Sequence, residues 1–241
     1  MKMTEVESFV VRAPLEGSKP HWGAGFWAAE PDAHPGLPAD HPGDVTTEYP
    51  PLWRIRATYP AALEAVVVRL ETDTGIVGWG EAHTPSAPEA SKAVIDAVFA
   101  PVVLGCDPLD IQPVWETLFA TQHMRGHTAG FLTEALSGVD IALWDVAGQA
   151  LGVPVAKLLG GQLRTRIPVY ASSLPRVSVA NAAAGIPAVC EQARALADAG
   201  HRTIKVKLGA NLDHDRETLR ALRDAVGPEI ALSVDVNGAY D

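Results

Sequence analysis

Ile204-Lys205-Val206-Lys207-Leu208-Gly209 and Ser233-Val234-Asp235-Val236-Asn237 decide how the rest of this chain is read. Each is a short run rich in Val, Ile and Leu, and a charged helical segment separates them, which is the pattern of a βαβ unit. Residues i and i+2 of a strand point to the same face. Lys205 and Lys207 therefore share a face of their strand, and Asp235 and Asn237 share a face of theirs. In a parallel β/α barrel such a face is the interior, and the strand ends carry the chemistry. Two ammonium groups side by side disfavour each other's charge, so one of them can serve as a neutral base near neutral pH. A carboxylate on the next strand can hold a hard cation such as Mg²⁺.

Taken alone, Lys-x-Lys also fits an edge strand with solvated lysines. The neighbours argue otherwise. Alternation puts Ile204, Val206 and Leu208 on the opposite face, under a helix. The lysines then face inward, where an unpaired charge is costly. Asp235, one β/α unit later, supplies the opposite charge at a matching depth.

Around this unit the order of elements continues. Ile167 to Ala171 reads as a strand, and a helix follows it to Gly200, with Pro187 at its start or at a kink. The helix between the lysine and aspartate strands spans about Asp213 to Val226. The order β, α, β, α, β at short spacing indicates a parallel sheet. Upstream, Leu132 to Ala150 repeats apolar residues at three and four, the mark of an amphipathic helix, and Gly152 and Pro154 stop it. Asp140 and Asp145 on this helix read as capping or ion-pair residues.

The first 125 residues read as strands followed by helices. Residues 3–12 form a strand with Val6, Ser8 and Val10 on one face. Ala65 to Glu71 and Ile76 to Trp79 flank the turn Thr72-Asp73-Thr74-Gly75. Ser86-Ala87-Pro88-Glu89 resembles a capping box before a helix that Gly105 ends. Asp107-Pro108 reads as the start of the next helix. Residues 14–60 are a long Pro-rich segment with little periodicity. Its aromatic residues, Trp22, Phe26, Trp27, Tyr49, Trp53 and Tyr59 among them, suit an ordered cover better than a disordered linker. His21, Arg54 and Arg56 are its candidates to touch an anionic ligand, because a guanidinium grips a carboxylate in a fork.

Composition narrows the partners. The chain has 241 residues and a net charge of −10, from 29 acidic and 19 basic residues. That balance argues against a nucleic-acid surface, which needs a basic patch. No run reaches the roughly 18 apolar residues of a membrane span, and the N-terminus has no secretory pattern. Two cysteines, Cys106 and Cys190, lack metal-type spacing and suit a reducing compartment, so the expectation is a cytoplasmic protein.

The run Ala135-Leu136-Ser137-Gly138-Val139-Asp140-Ile141-Ala142-Leu143-Trp144-Asp145, with Gly152-x-Pro154 and Leu158-Leu159-Gly160-Gly161, resembles the mandelate racemase and muconate lactonizing enzyme branch of the enolase superfamily. The hairpin from Glu71 to Glu81 and the two strands quoted first match it in order and spacing. The resemblance implies an α+β capping domain over a TIM-like (β/α) barrel. The domains would be 1–125 (capping, with the long loop 14–60), 126–163 (linking helices) and 164–241 (the first three barrel strands). It implies Mg²⁺ and removal of the proton α to a carboxylate. Lys207 would be a base, and Lys205 would tune it and touch the substrate carboxylate. Asp235 would be a metal ligand and Asn237 a polar neighbour. The loop bearing His21, Trp22, Arg54 and Arg56 resembles the extended lids of sugar-acid dehydratases. Acid-sugar dehydration is the activity expected, with racemase or cycloisomerase chemistry, or a truncated non-catalytic relative, as alternatives. A full (β/α)₈ barrel takes roughly 200–250 residues, more than Arg164 to Asp241 can supply. The barrel is therefore expected to be incomplete, and the 241-residue chain alone inactive. The partners expected are a small carboxylate or sugar-acid substrate and, at full length, further copies in a homo-oligomer.

Overall fold

The computed structural model describes residues 1–14, 21–23, 57–59, 62–174, 176–177 and 179–236. The chain divides into two compact units, Met1–Gly17 with Pro60–Thr165, and Ser18–Tyr59 with Arg166–Asp241.

The first unit is built on a three-stranded antiparallel sheet. Strand β1 (Met3–Pro14) pairs with β4 (Ala62–Thr72), and β4 pairs with β5 (Val77–Ala82). Alternation sorts the faces as expected. Val66, Val68 and Leu70 of β4 are fully buried, whereas Phe9 and Val11 of β1 face outward. Helix α1 (Pro88–Val94) runs into a π-helical turn (Ile95–Phe99) and then α2 (Ala100–Val103). Pro101 accounts for that irregularity. It has no N–H, and its ring crowds the carbonyl four residues back, on Ala97 inside the widened turn. The capping box is absent: α1 begins beyond Ala87, which takes a left-handed φ of 54° without a side-chain cap, and Glu89 pairs with Arg12 instead. Asp107-Pro108 makes a turn closed by the Leu109 N–H on Asp107 Oδ1, and α3 starts only at Ile111 and runs to Ala120.

Helix α4 (Phe131–Leu151) covers the sheet and contributes Ala135, Leu136, Val139, Ala142, Leu143 and Val146 to its core. The residues read as linking helices thus include the principal helix of the first unit. Its approach to β5 requires glycines. A Cβ at Gly80 would lie 2.0 Å from the Gly138 carbonyl oxygen, and one at Gly78 would lie 2.5 Å from that of Ala142. Asp145 is neither a cap nor an ion-pair partner of its own helix. It accepts the Trp79 N–H at 2.9 Å, and Gln149 donates to the Val77 carbonyl at 2.7 Å. Both occupy backbone groups on the open side of β5, the sheet's edge strand. The short α5 (Val155–Leu158) follows.

In the second unit, β2 (His21–Gly23) and β3 (Ala57–Tyr59) form a two-stranded antiparallel pair inside the segment read as aperiodic. A parallel three-stranded sheet carries the order β6-β7-β8, from β6 (Ala171–Leu174), β7 (Thr203–Lys207) and β8 (Ala231–Asp235). The sheet begins later than Ile167, because pairing starts at Ala171 against Ile204, and Ile167 and Val169 are exposed. Helices α6 (Ala182–Asp198) and α7 (Leu212–Val226) connect the strands, and Pro187 lies inside α6 rather than at its start. Their core gathers Val189, Ala193, Ile204, Val206, Leu222 and Ile230. No described helix is long and apolar enough to cross a membrane.

Candidate active site at the ends of β7 and β8

Strand β7 is the middle strand of its sheet, so its lysines are not on an edge. Ile204 and Val206 have no exposed surface and anchor one face under the helices. That burial turns Lys205 and Lys207 to the other face. The parallel register sets Lys205 beside Ser233 and Lys207 beside Asp235, so all four side chains share that face. Ser172 of β6 lies in register with Lys205 and joins them.

The charges converge. Lys207 Nζ donates to Asp235 Oδ2 at 2.6 Å, and Lys205 Nζ lies 3.4 Å from the same oxygen. The Lys207 side chain is 11% exposed and that of Asp235 is 30% exposed, so the pair is partly screened from water but open on one side. Removing either partner would leave a charge poorly solvated, which is costly. Lys205 Nζ also lies 5.4 Å from the centre of the Tyr170 ring, over a face that attracts cations. Two lysines and one aspartate together carry an excess of positive charge, which suits an anion such as a carboxylate.

Of the residues proposed from sequence, the structure brings Lys205, Lys207 and Asp235 together. Arg54, Arg56 and Asn237 lie outside the described residues, and His21 and Trp22 are placed by backbone alone, on β2. Tyr170 and Ser172 are additions. Tyr170 directly precedes β6 and Ser172 lies within it, two residues apart, and a strand read over Ile167 to Ala171 does not reach Ser172. Among the described residues no three His, Cys, Asp or Glu side chains come together as a metal cluster. Asp235 fits Mg²⁺ as one hard oxygen ligand at a strand end, and the described residues do not complete a shell.

Residues 45–160 match the mandelate racemase / muconate lactonizing enzyme N-terminal domain, and residues 188–241 match the enolase C-terminal domain-like family. The chain belongs to the mandelate racemase/muconate lactonizing enzyme branch of the enolase superfamily. Its sequence is similar to D-galactarolactone cycloisomerase of Agrobacterium fabrum, 35% identical over 73% of this chain and 44% of that protein. It is also similar to D-galactonate dehydratase of Variovorax paradoxus, 40% identical over 47% of this chain and 29% of that protein. A racemase from Streptomyces coelicolor A3(2), solved with bound magnesium, superposes with a TM-score of 0.72 at 25% identity, over 99% of this chain and 56% of that one. The chain thus spans less than half the length of these two curated relatives. Within the superfamily, the first unit is the capping domain and the parallel sheet is part of the barrel.

Proposed function

We propose that this chain is the amino-terminal part of a Mg²⁺-dependent enzyme that removes the proton α to the carboxylate of a sugar acid, and that the product is a dehydrated keto acid. The observation that carries this reading is the convergence of Lys205, Lys207 and Asp235 on one strand-end face. Lys207, in its amine form, takes the α-proton, and the electron pair left behind moves into the carboxylate as an enediolate. Collapse of the enediolate breaks the C–O bond at the β-carbon, the β-hydroxyl leaves as water with one added proton, and the enol that remains tautomerises to the 2-keto acid. Lys205 offers its charge to the substrate carboxylate, steadied over Tyr170. Asp235 would hold the metal, whose charge, when bound, lowers the energy of the enediolate oxygen. The relatives named galactonate dehydratase and the racemase with bound magnesium support the dehydratase and metal assignments.

Cycloisomerisation is the second reading, because the galactarolactone cycloisomerase match extends over more of the chain than the dehydratase match does. Both begin with the same proton abstraction. The test is to incubate the full-length natural protein and Mg²⁺ with a panel of aldonic acids, aldaric acids and their lactones, followed by mass spectrometry. Loss of one water and appearance of a 2-keto acid supports dehydration. Consumption of a lactone without change of mass supports cycloisomerisation. No conversion of any sugar acid or lactone in the panel would overturn the proposal.

A further inference from the structure

The backbone just beyond Lys207 is held from two directions. The Leu208 N–H donates to the Asp235 carbonyl at 3.0 Å, which extends the β7–β8 ladder past the lysine. The next two amides turn the other way. Gly209 N–H donates to Asp215 Oδ2 at 2.7 Å and Ala210 N–H donates to Asp215 Oδ1 at 3.3 Å. Gly209 has a φ of +104°, a conformation open to glycine, and it lets both amides face one carboxylate. Asp215 lies in the first turn of α7 and is 5% exposed. Its neighbour His214 is also buried, and its Nε2 lies 2.9 Å from the carbonyl of Val177, in the segment after β6. Val177 is itself seated against α6, where a Cβ at Gly185 would come within 2.6 Å of it. Asn211 caps the helix by accepting the His214 N–H at 3.0 Å.

An acid near a helix N-terminus has a simpler use, which is to favour the helix dipole. Asp213 is placed for that use. It lies in the same turn, is exposed and pairs with Arg216. Asp215 differs in being buried and in placing both oxygens on the loop that leaves Lys207.

We propose that Asp215 is a positioning residue. Its carboxylate, assisted by the His214 link to Val177, fixes the β7–α7 loop and so holds the Lys207 amine at the place where a proton is taken. The inference rests on Lys207 acting as the base. Reacting groups lose on the order of 10²-fold in rate when displaced by about 1 Å, so a loosened loop should slow proton transfer more than it weakens binding.

The test uses the natural full-length protein in two independent arms. In the first, amide hydrogen exchange is followed by NMR in the unmodified protein. Gly209 and Ala210 should be protected although they lie in a loop, and exchange at the rate of open loops would overturn the proposal. In the second, α-proton exchange in D₂O is compared for the parent, Asp215→Asn and the control Asp213→Asn. Asp215→Asn should slow exchange roughly 10–10²-fold with KM within about twofold, and Asp213→Asn should match the parent. Equal rates for Asp215→Asn and the parent would overturn the positioning role. If Asp215→Asn does not fold, Asp215→Glu, which keeps the charge but moves it by one methylene, should show a smaller slowing with the same KM pattern. Should the parent exchange no α-proton from any sugar acid, Lys207 as base fails, while the amide arm still decides whether Asp215 holds the loop.

Discussion

Asp140 shows how a single side chain on α4 sets a cost that depends on pH. It is half-buried, and burial pushes its carboxyl above the ordinary range, opposed by a hydrogen bond with Trp144. A raised carboxyl in the folded state means that folding favours the protonated form. Stability linked to Asp140 is therefore greatest below the unfolded value of about 4, and it declines as pH rises through the folded value. Asp140→Asn keeps an acceptor for Trp144 and removes the charge. Its melting temperature should exceed the parent's at pH 7, and the gain should shrink below about pH 4; a gain that grows on acidification would contradict this. The same scale separates what was legible in the sequence from what was not. Lys205 and Lys207 could be read because the strand period puts them on one face, and Asp235 because it ends the next strand. Asp215 could not, since its partners are backbone amides whose direction depends on Gly209. Glu89 does not complete a capping box because Arg12, 77 positions away in the chain, takes its carboxylate.

At the scale of elements, the tightest join is between α4 and β5. The period of α4 was visible and gave its span within a residue at each end. Its use of Gly78 and Gly80 was not, because a glycine in a strand signals close approach without naming the partner. Gly80→Ala would set a methyl group against the Gly138 and Ala142 backbone, which cannot yield as a side chain can. Overpacking of this kind costs about 1–3 kcal/mol or more, and the midpoint of urea unfolding should fall accordingly; an unchanged midpoint would mean that α4 does not approach as described. Asp145→Ala leaves the Trp79 N–H without its carboxylate. The expected loss is about 0.5–1.5 kcal/mol, because the bond is exposed and water can take the place of the carboxylate, measured in the same unfolding experiment, together with faster amide exchange at Trp79. Ile167 and Val169 alternate like a strand, yet register with β7 decides where pairing begins, at Ala171.

For the whole chain, two units with separate cores follow from two hydrophobic patterns, an antiparallel sheet under α4 and a parallel sheet under α6 and α7. The second unit also has an open groove of about 830 Å³, lined by Leu208, Leu212, Leu219, Leu232, Val234 and Val236 together with two aspartates and three arginines. An apolar face beside an edge strand invites association. The 241-residue polypeptide by itself should self-associate in sedimentation velocity and bind a hydrophobic dye, whereas a monodisperse monomer without dye binding would contradict that. The account as a whole rests on the face shared by Lys205, Lys207 and Asp235, and one measurement addresses it directly. Deuterium incorporation at the α-carbon of a sugar acid in D₂O is compared for the full-length protein and its Lys207→Met variant, with Mg²⁺ present. Removal of the base should slow incorporation by roughly 10²–10⁴-fold. Incorporation as fast in Lys207→Met as in the parent would show that Lys207 is not the base.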